Sequence, residues 1–168
     1  MHKTDIQLLI DYNYWANARI LRSAAQLSSA QFLAPYPVSF GSLRGTLVHI
    51  LGAEYNWRMR FQEGISLSAM LPEADFPDLE SLQRRWTAEE TATRAFVASR
   101  GDEDFQRRVQ YKTTKGVPQE TILWQILAHV VNHGTQFRSE AGVLLTALGH
   151  SPGDTDLIYF LRETRAGG

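Results

Sequence analysis

The segment that most restricts the fold of this chain is its last long apolar repeat. Between Pro118 and Leu148, Leu123, Ile126, Leu127, Val130, Val131, Ala141, Leu144, Leu145 and Leu148 fall on one broad arc of a helix turned about 100° per residue. Pro118 suits the first turn, and Gly149 supplies the stop. An apolar arc of that length must be buried against other elements. Three more segments carry the same period. Thr4 or Asp5 can cap a first helix to about Leu27, a second starts near Ser42 and ends before Gly64, and a third runs from near Asp78 to Gly101. Residues 28–40 and 64–77 read as loops, marked by Pro35, Pro37, Pro72 and Pro77. Residues 104–117 do not read as helix; they form either a short extended pair or an irregular loop. Ser151 to Asp154 caps a short tail helix over 155–163. The expected fold is all-α, a four-helix bundle with a short C-terminal helix, in one domain over residues 1–168. The connections exceed those of a minimal up-down bundle, so the order of helices in space stays open.

Composition narrows the function. Net charge is −1 with scattered basic residues, which argues against nucleic acid and anionic membranes as partners. No segment approaches the roughly 20 apolar residues of a membrane span. There is no cysteine, which excludes disulfides, thiolate ligands and a cysteine nucleophile. That fits a reducing compartment, and the N-terminus lacks the apolar run of a signal peptide. A cytoplasmic location is the expectation.

Three histidines carry the chemistry. His129 and His133 lie four residues apart, so both project from one helix face. They sit at one edge of the apolar arc, beside Ile122, Ile126 and Phe137. His49 lies on the second helix, off its apolar arc, on a stripe of small residues with Ser42, Gly45, Gly52, Ala53 and Asn56. That stripe leaves room for an ion or substrate, and equally suits close packing. Two imidazoles at this spacing plus a third from a facing helix can hold one divalent cation and leave positions open for water or substrate. Spacing alone does not place the two helices in contact.

Four motifs then add a resemblance: Tyr12 to Leu21, Ser42 to Trp57, His129 to Arg138 and Gly149 to Asp154. Together they resemble the DinB family, the DinB/YfiT-like metalloenzymes, over nearly the whole chain. The resemblance implies an up-down-down-up four-helix bundle, often homodimeric. It also implies a divalent metal held by one histidine of the second helix and two of the last, with small-molecule substrates. Characterised members include transferases and isomerases that use a low-molecular-weight thiol. His49 and His133 match family ligands. Many members carry another histidine directly before the arginine, where this chain has Phe137. If the family pair corresponds to positions 133 and 137, one ligand is lost; if it corresponds to His129 and His133, the set is intact. The expected ligands are His49, His129 and His133, because that set is complete.

Three imidazoles suit zinc or nickel first, then iron or manganese. Gln136 and Glu140, near the histidine stripe on the helical wheel, are the expected catalytic groups; Glu54 falls about 140° around from His49, off its face. Arg58 and Arg60 are candidates for a cofactor carboxylate, and Tyr14, Trp15, Trp57 and Trp124 for a pocket lining. Two functions follow: a metal-dependent enzyme, either a thiol transferase or a hydrolase of small electrophiles, and a non-catalytic metal-binding or metal-free dimeric stress-response protein.

Overall fold

The structure, a computed structural model, describes residues 1–166. It is mostly helical, with six α-helices and one two-stranded antiparallel sheet among the described residues. Helix α1 spans Lys3–Ala24 and α2 spans Ser29–Leu33. Helix α3 spans Leu43–Arg58 and runs on into a π-helical turn, Met59–Glu63. Helix α4 spans Leu79–Ala98, α5 spans Leu123–Ala147 and α6 spans Leu157–Ala166. Strands β1 (Arg108–Lys112) and β2 (Pro118–Ile122) form a hairpin between α4 and α5. No helix among the described residues is long and apolar enough to cross a membrane.

Side chains that satisfy orphan backbone donors set the helix starts. Ser42 accepts from the Gly45 N–H at 2.8 Å, and Asp78 accepts from the Ser81 N–H at 2.8 Å. At the start of α1, Asp5 accepts from the His2 N–H and Asp102 from the Lys3 N–H, which ties the chain's beginning to the segment after α4. Gly64 takes φ 70° and Gly149 φ 87°, ending the π-turn and α5 in the left-handed conformation that glycine adopts without penalty.

Two expectations are corrected. Residues 28–40 are not all loop: Ser28 caps α2 through the Gln31 N–H. The last long helix does not begin at Pro118. It begins at Leu123, because residues 118–122 pair with 112–108 as β2. Proline's fixed φ serves a strand start as well as a helix start. The β-branched Thr121 and Ile122 then favour the strand. The open choice over 104–117 resolves as β1 and its turn, preceded by a 3₁₀ segment, Asp102–Gln106.

Helices α1 and α3 each pack against both α4 and α5. Ile6, Ile20, Leu47, Leu51, Leu82 and Leu127 lie in the core between them. Within this carbon sits a polar network that touches all four helices. The Arg138 Nη1 of α5 donates to Asn13 Oδ1 at 2.6 Å and to Asn17 Oδ1 at 2.8 Å, both on α1. The two amide nitrogens donate onward to Glu54 Oε1 of α3, at 2.8 and 3.0 Å. The Trp86 Nε1 of α4 donates to Glu54 Oε2 at 2.8 Å. Burial raises the Glu54 pKa, opposed by these three donors and by the positive Arg138. Gly134 is needed for the approach: a Cβ there would lie 2.5 Å from Arg138 Nη1 and 2.9 Å from Asn13 Oδ1.

Removing one end of a buried, compensated pair leaves the other charge stranded. Arg138→Met is expected to lower stability by about 3–5 kcal/mol, read as a fall in the urea midpoint. Gly134→Ala is expected to cost about 1–3 kcal/mol, despite alanine's better helix propensity, because the arginine it displaces is fixed by two amides. An unchanged midpoint in both variants would remove the network from its structural role.

Candidate metal centre

The site forms where α3 and α5 face each other. His49 of α3 is half-buried, as is His133 of α5. Their Nε2 atoms lie 3.1 Å apart. A tetrahedral cation with metal–nitrogen bonds of about 2.0–2.1 Å sets its ligand nitrogens about 3.3–3.4 Å apart. The pair is therefore within a few tenths of an ångström of the separation two ligands of one ion require. His129, one turn before His133, is exposed, and its ring centre lies 5.8 Å from that of His133, edge-on to Trp57 at 5.4 Å. Among the described residues no three His, Cys, Asp or Glu side chains are already arranged as a ligand set. The structure brings two of the three expected histidines together and leaves the third beside them.

One side of the pair is carbon. Phe40 stacks on His49 with ring centres 3.8 Å apart and planes 18° from parallel. Phe137 lies 4.6 Å from the His49 ring and 4.7 Å from that of His133. It thus faces both imidazoles more closely than His129 faces His133. The other side opens into a cavity of about 290 Å³. Ala53, Asn56, Trp57, Arg60, Met70 and Tyr111 line it, with Thr113 and Thr114 of the hairpin turn at its mouth. A larger, shallower depression of about 880 Å³ lies along the hairpin and contains no histidine; the smaller cavity is the one joined to the chemistry.

Desolvation lowers all three imidazole pKa values, that of His129 through the part of its ring turned toward the cavity. That of His133 falls to about 4, through burial first and then the neighbouring His49, His129 and Arg138. For His129 the second cause is Arg60; for His49 the charge of Glu140 opposes the shift. The rings are thus neutral at pH 7, the state in which a ring nitrogen has a lone pair to give.

The other sequence candidates are distributed unevenly. Glu140 Oε1 accepts from the Ser39 N–H at 2.7 Å and the Ser39 hydroxyl at 2.9 Å, holding the loop that carries Phe40; its Oε2 is buried without a partner. Gln136 is exposed and does not line the cavity. Glu54 belongs to the core network. Arg58 is taken by Glu89, through bonds of 2.6 and 3.0 Å. The small stripe on α3 divides in two. A Cβ on Gly45 would strike the Phe40 carbonyl, and one on Gly52 would meet Met70 at 3.1 Å, so these glycines serve close packing by loops. Ala53 and Asn56 serve the cavity. Of the pocket aromatics, Trp57 lines the cavity, whereas Tyr14, Trp15 and Trp124 do not.

Sequence reasoning missed Met70, Tyr111, Thr113 and Thr114. Tyr111 had one available signal: with Val109 it shares a face in a strand's period of two, and Val109 is buried.

Comparison with known proteins gives the chain's family. The family model described as the DinB family matches residues 1–166. A protein named Protein DinB, from Bacillus subtilis (strain 168), is 23% identical over 163 residues, which cover 94% of each chain. The match takes in α3 and α5 with their histidines, and on its extent the chain belongs to the DinB family.

Proposed function

We propose that this chain is a divalent-cation-dependent enzyme acting on a small molecule, with α1, α3, α4 and α5 as a four-helix bundle that carries the site at the seam of α3 and α5. His49 and His133 are the primary ligands and His129 the third, with zinc or nickel the preferred ion. The observation that carries this reading is the 3.1 Å approach of two neutral imidazole nitrogens at the head of an open cavity. When bound, the cation supplies Lewis acidity, which lowers the pKa of a water or thiol beside it. With no cysteine in the chain, a thiol would come from a low-molecular-weight co-substrate. Phe40 and Phe137 keep water from the rear of the imidazoles, and the carboxylate of Glu140 favours positive charge near His49. Trp57, Met70 and Tyr111 offer apolar surface to a substrate.

A second reading, a metal-binding protein without catalysis, is favoured by Phe137, which presents carbon to both rings.

Metal analysis of protein purified without an affinity tag is expected to give about one divalent ion per chain, and His133→Ala to lose it with helical content kept. A His133→Ala protein that retains its ion would overturn the ligand assignment. His129→Ala is expected to weaken metal binding by at least about tenfold, the scale on which even outer groups of such sites act. Phe137→His in that background is expected to restore it, because position 137 faces both remaining imidazoles. No change on His129→Ala would show that the third ligand is not this residue. Turnover of monochlorobimane with bacillithiol, mycothiol or glutathione separates the two functions. Turnover with one of them is expected, and none at full metal occupancy would leave only the binding protein.

A further inference from the structure

Two arginines are buried among the described residues, Arg138 and Arg60. They are opposites. Arg138 donates four hydrogen bonds. Arg60 is 7% exposed, and no acceptor among the described residues takes a hydrogen bond from any of its nitrogens; its Nε is wholly buried without a partner. What it has are ring faces. Its guanidinium carbon lies 4.5 Å from the centre of the Trp57 ring and 5.2 Å from that of Tyr111. Aromatic faces stabilise a cation and fix the plane of the fork, yet they satisfy none of its N–H donors.

The surroundings point the same way. Arg60 sits in the π-helical turn Met59–Glu63, an irregularity that recurs at functional sites. It lines the same cavity as His49, His129 and His133. Asn56 lines that cavity too. Its amide nitrogen is fixed by the Ala69 carbonyl at 3.2 Å, and its Oδ1 is buried without a donor. A guanidinium with no counter-ion and a buried, unpaired Nε carries a cost that native folds avoid, and its two Nη groups keep contact with solvent. Here the counter-charge has a place to arrive from, the cavity itself. The guanidinium edge is a planar fork that matches a carboxylate in a bidentate pair. A cavity of about 290 Å³ admits a small molecule only.

We propose that Arg60 anchors the carboxylate of the small organic acid, substrate or co-substrate, that fills the histidine cavity, with Trp57 and Tyr111 holding the guanidinium in register. This deepens the reading of the cavity as a reaction chamber and rests on it, but it does not depend on which ion the histidines hold. The acid's far end then lies toward the imidazole pair, so Arg60 sets which molecules are presented to it.

The test uses benzoate, its neutral isostere benzamide, and inorganic phosphate as probes. Binding is followed through the Trp57 indole resonance of the protein in metal-loaded and metal-stripped forms. Benzoate is expected to bind at least about tenfold more tightly than benzamide in both forms, the range of a charge-assisted pair. Arg60→Gln is expected to abolish that preference, and Arg60→Lys to keep only part of it, because an ammonium lacks the fork. Because no protein acceptor depends on Arg60, Arg60→Gln is expected to melt only slightly lower than the parent, by what its stacking on Trp57 and Tyr111 contributes. Equal binding of benzoate and benzamide by the parent, or an unchanged preference in Arg60→Gln, overturns the anchor. Phosphate binding as tight as benzoate overturns the assignment to a carboxylate. A steep loss of melting temperature in Arg60→Gln would make the arginine structural and overturn it as well. Metal analysis of the parent beside these titrations separates the two readings. Retained benzoate preference with no metal bound by the parent sinks the metal centre and leaves the anchor, and metal binding without the preference does the reverse.

Discussion

The structure depends on one buried polar relay, in which Arg138 is joined to Glu54 through the amides of Asn13 and Asn17, with Trp86 closing the other oxygen. Carbon packing brings α1, α3, α4 and α5 together but tolerates sliding and rotation. A satisfied polar network does not, since each displaced donor or acceptor would be left unpaired in low dielectric. Glu54 stands five residues after His49, and Arg138 five after His133. Five residues is about 140° around a helix. Pinning Glu54 and Arg138 into the core therefore turns both histidines away from it by the same angle, toward the seam between α3 and α5. The 3.1 Å approach of the imidazoles is a consequence of how the core is locked.

Much of the scaffold was legible from local chemistry. Ser42 and Asp78 start helices where their side chains can cap them, and Gly64 and Gly149 end segments where φ must be positive. The hairpin was only half legible: an extended pair was one of two options over 104–117, which contains β1, but β2 was read as helix, because its pairing with β1 is not a property of a local window. Pro118 was misread for the same reason. At the site, the residue types were readable and their partners were not. Arg58 and Arg60 are two residues apart, and both are candidates for an anion. One finds Glu89 and is spent; the other finds only ring faces. Which arginine meets a carboxylate depends on where α4 places Glu89, and that is set by tertiary packing.

The histidine pair is bounded asymmetrically, and the asymmetry has chemical content. Phe40 and Phe137 shield one side with carbon. The shield excludes water from the imidazoles and keeps them neutral, which suits ligation, but it also occupies the direction from which a donor at position 137 would approach. His129 stands on the opposite, open side, exposed beside Trp57. A cation held by His49, His133 and His129 would thus face the cavity, whose lining also includes Arg60, Tyr111 and Trp57.

The core relay and the histidine region differ in how completely their polar atoms are paired. In the core, every polar atom of Arg138, Asn13, Asn17 and Glu54 that takes part in the relay is paired, as a stable interior requires. Of the five side-chain polar atoms buried without partners among the described residues, three lie around the histidines, Arg60 Nε, Asn56 Oδ1 and Glu140 Oε2, and two lie elsewhere, Arg19 Nε and Arg100 Nε. A cationic fork and an amide oxygen on the cavity side, with a carboxylate oxygen beyond the phenylalanine wall, leave the region short of an anion and a donor on one face and of positive charge on the other. Departures from local consistency concentrate where a fold does chemistry. Here three of the five adjoin the only place among the described residues where two helices bring imidazole nitrogens within hydrogen-bonding distance of each other.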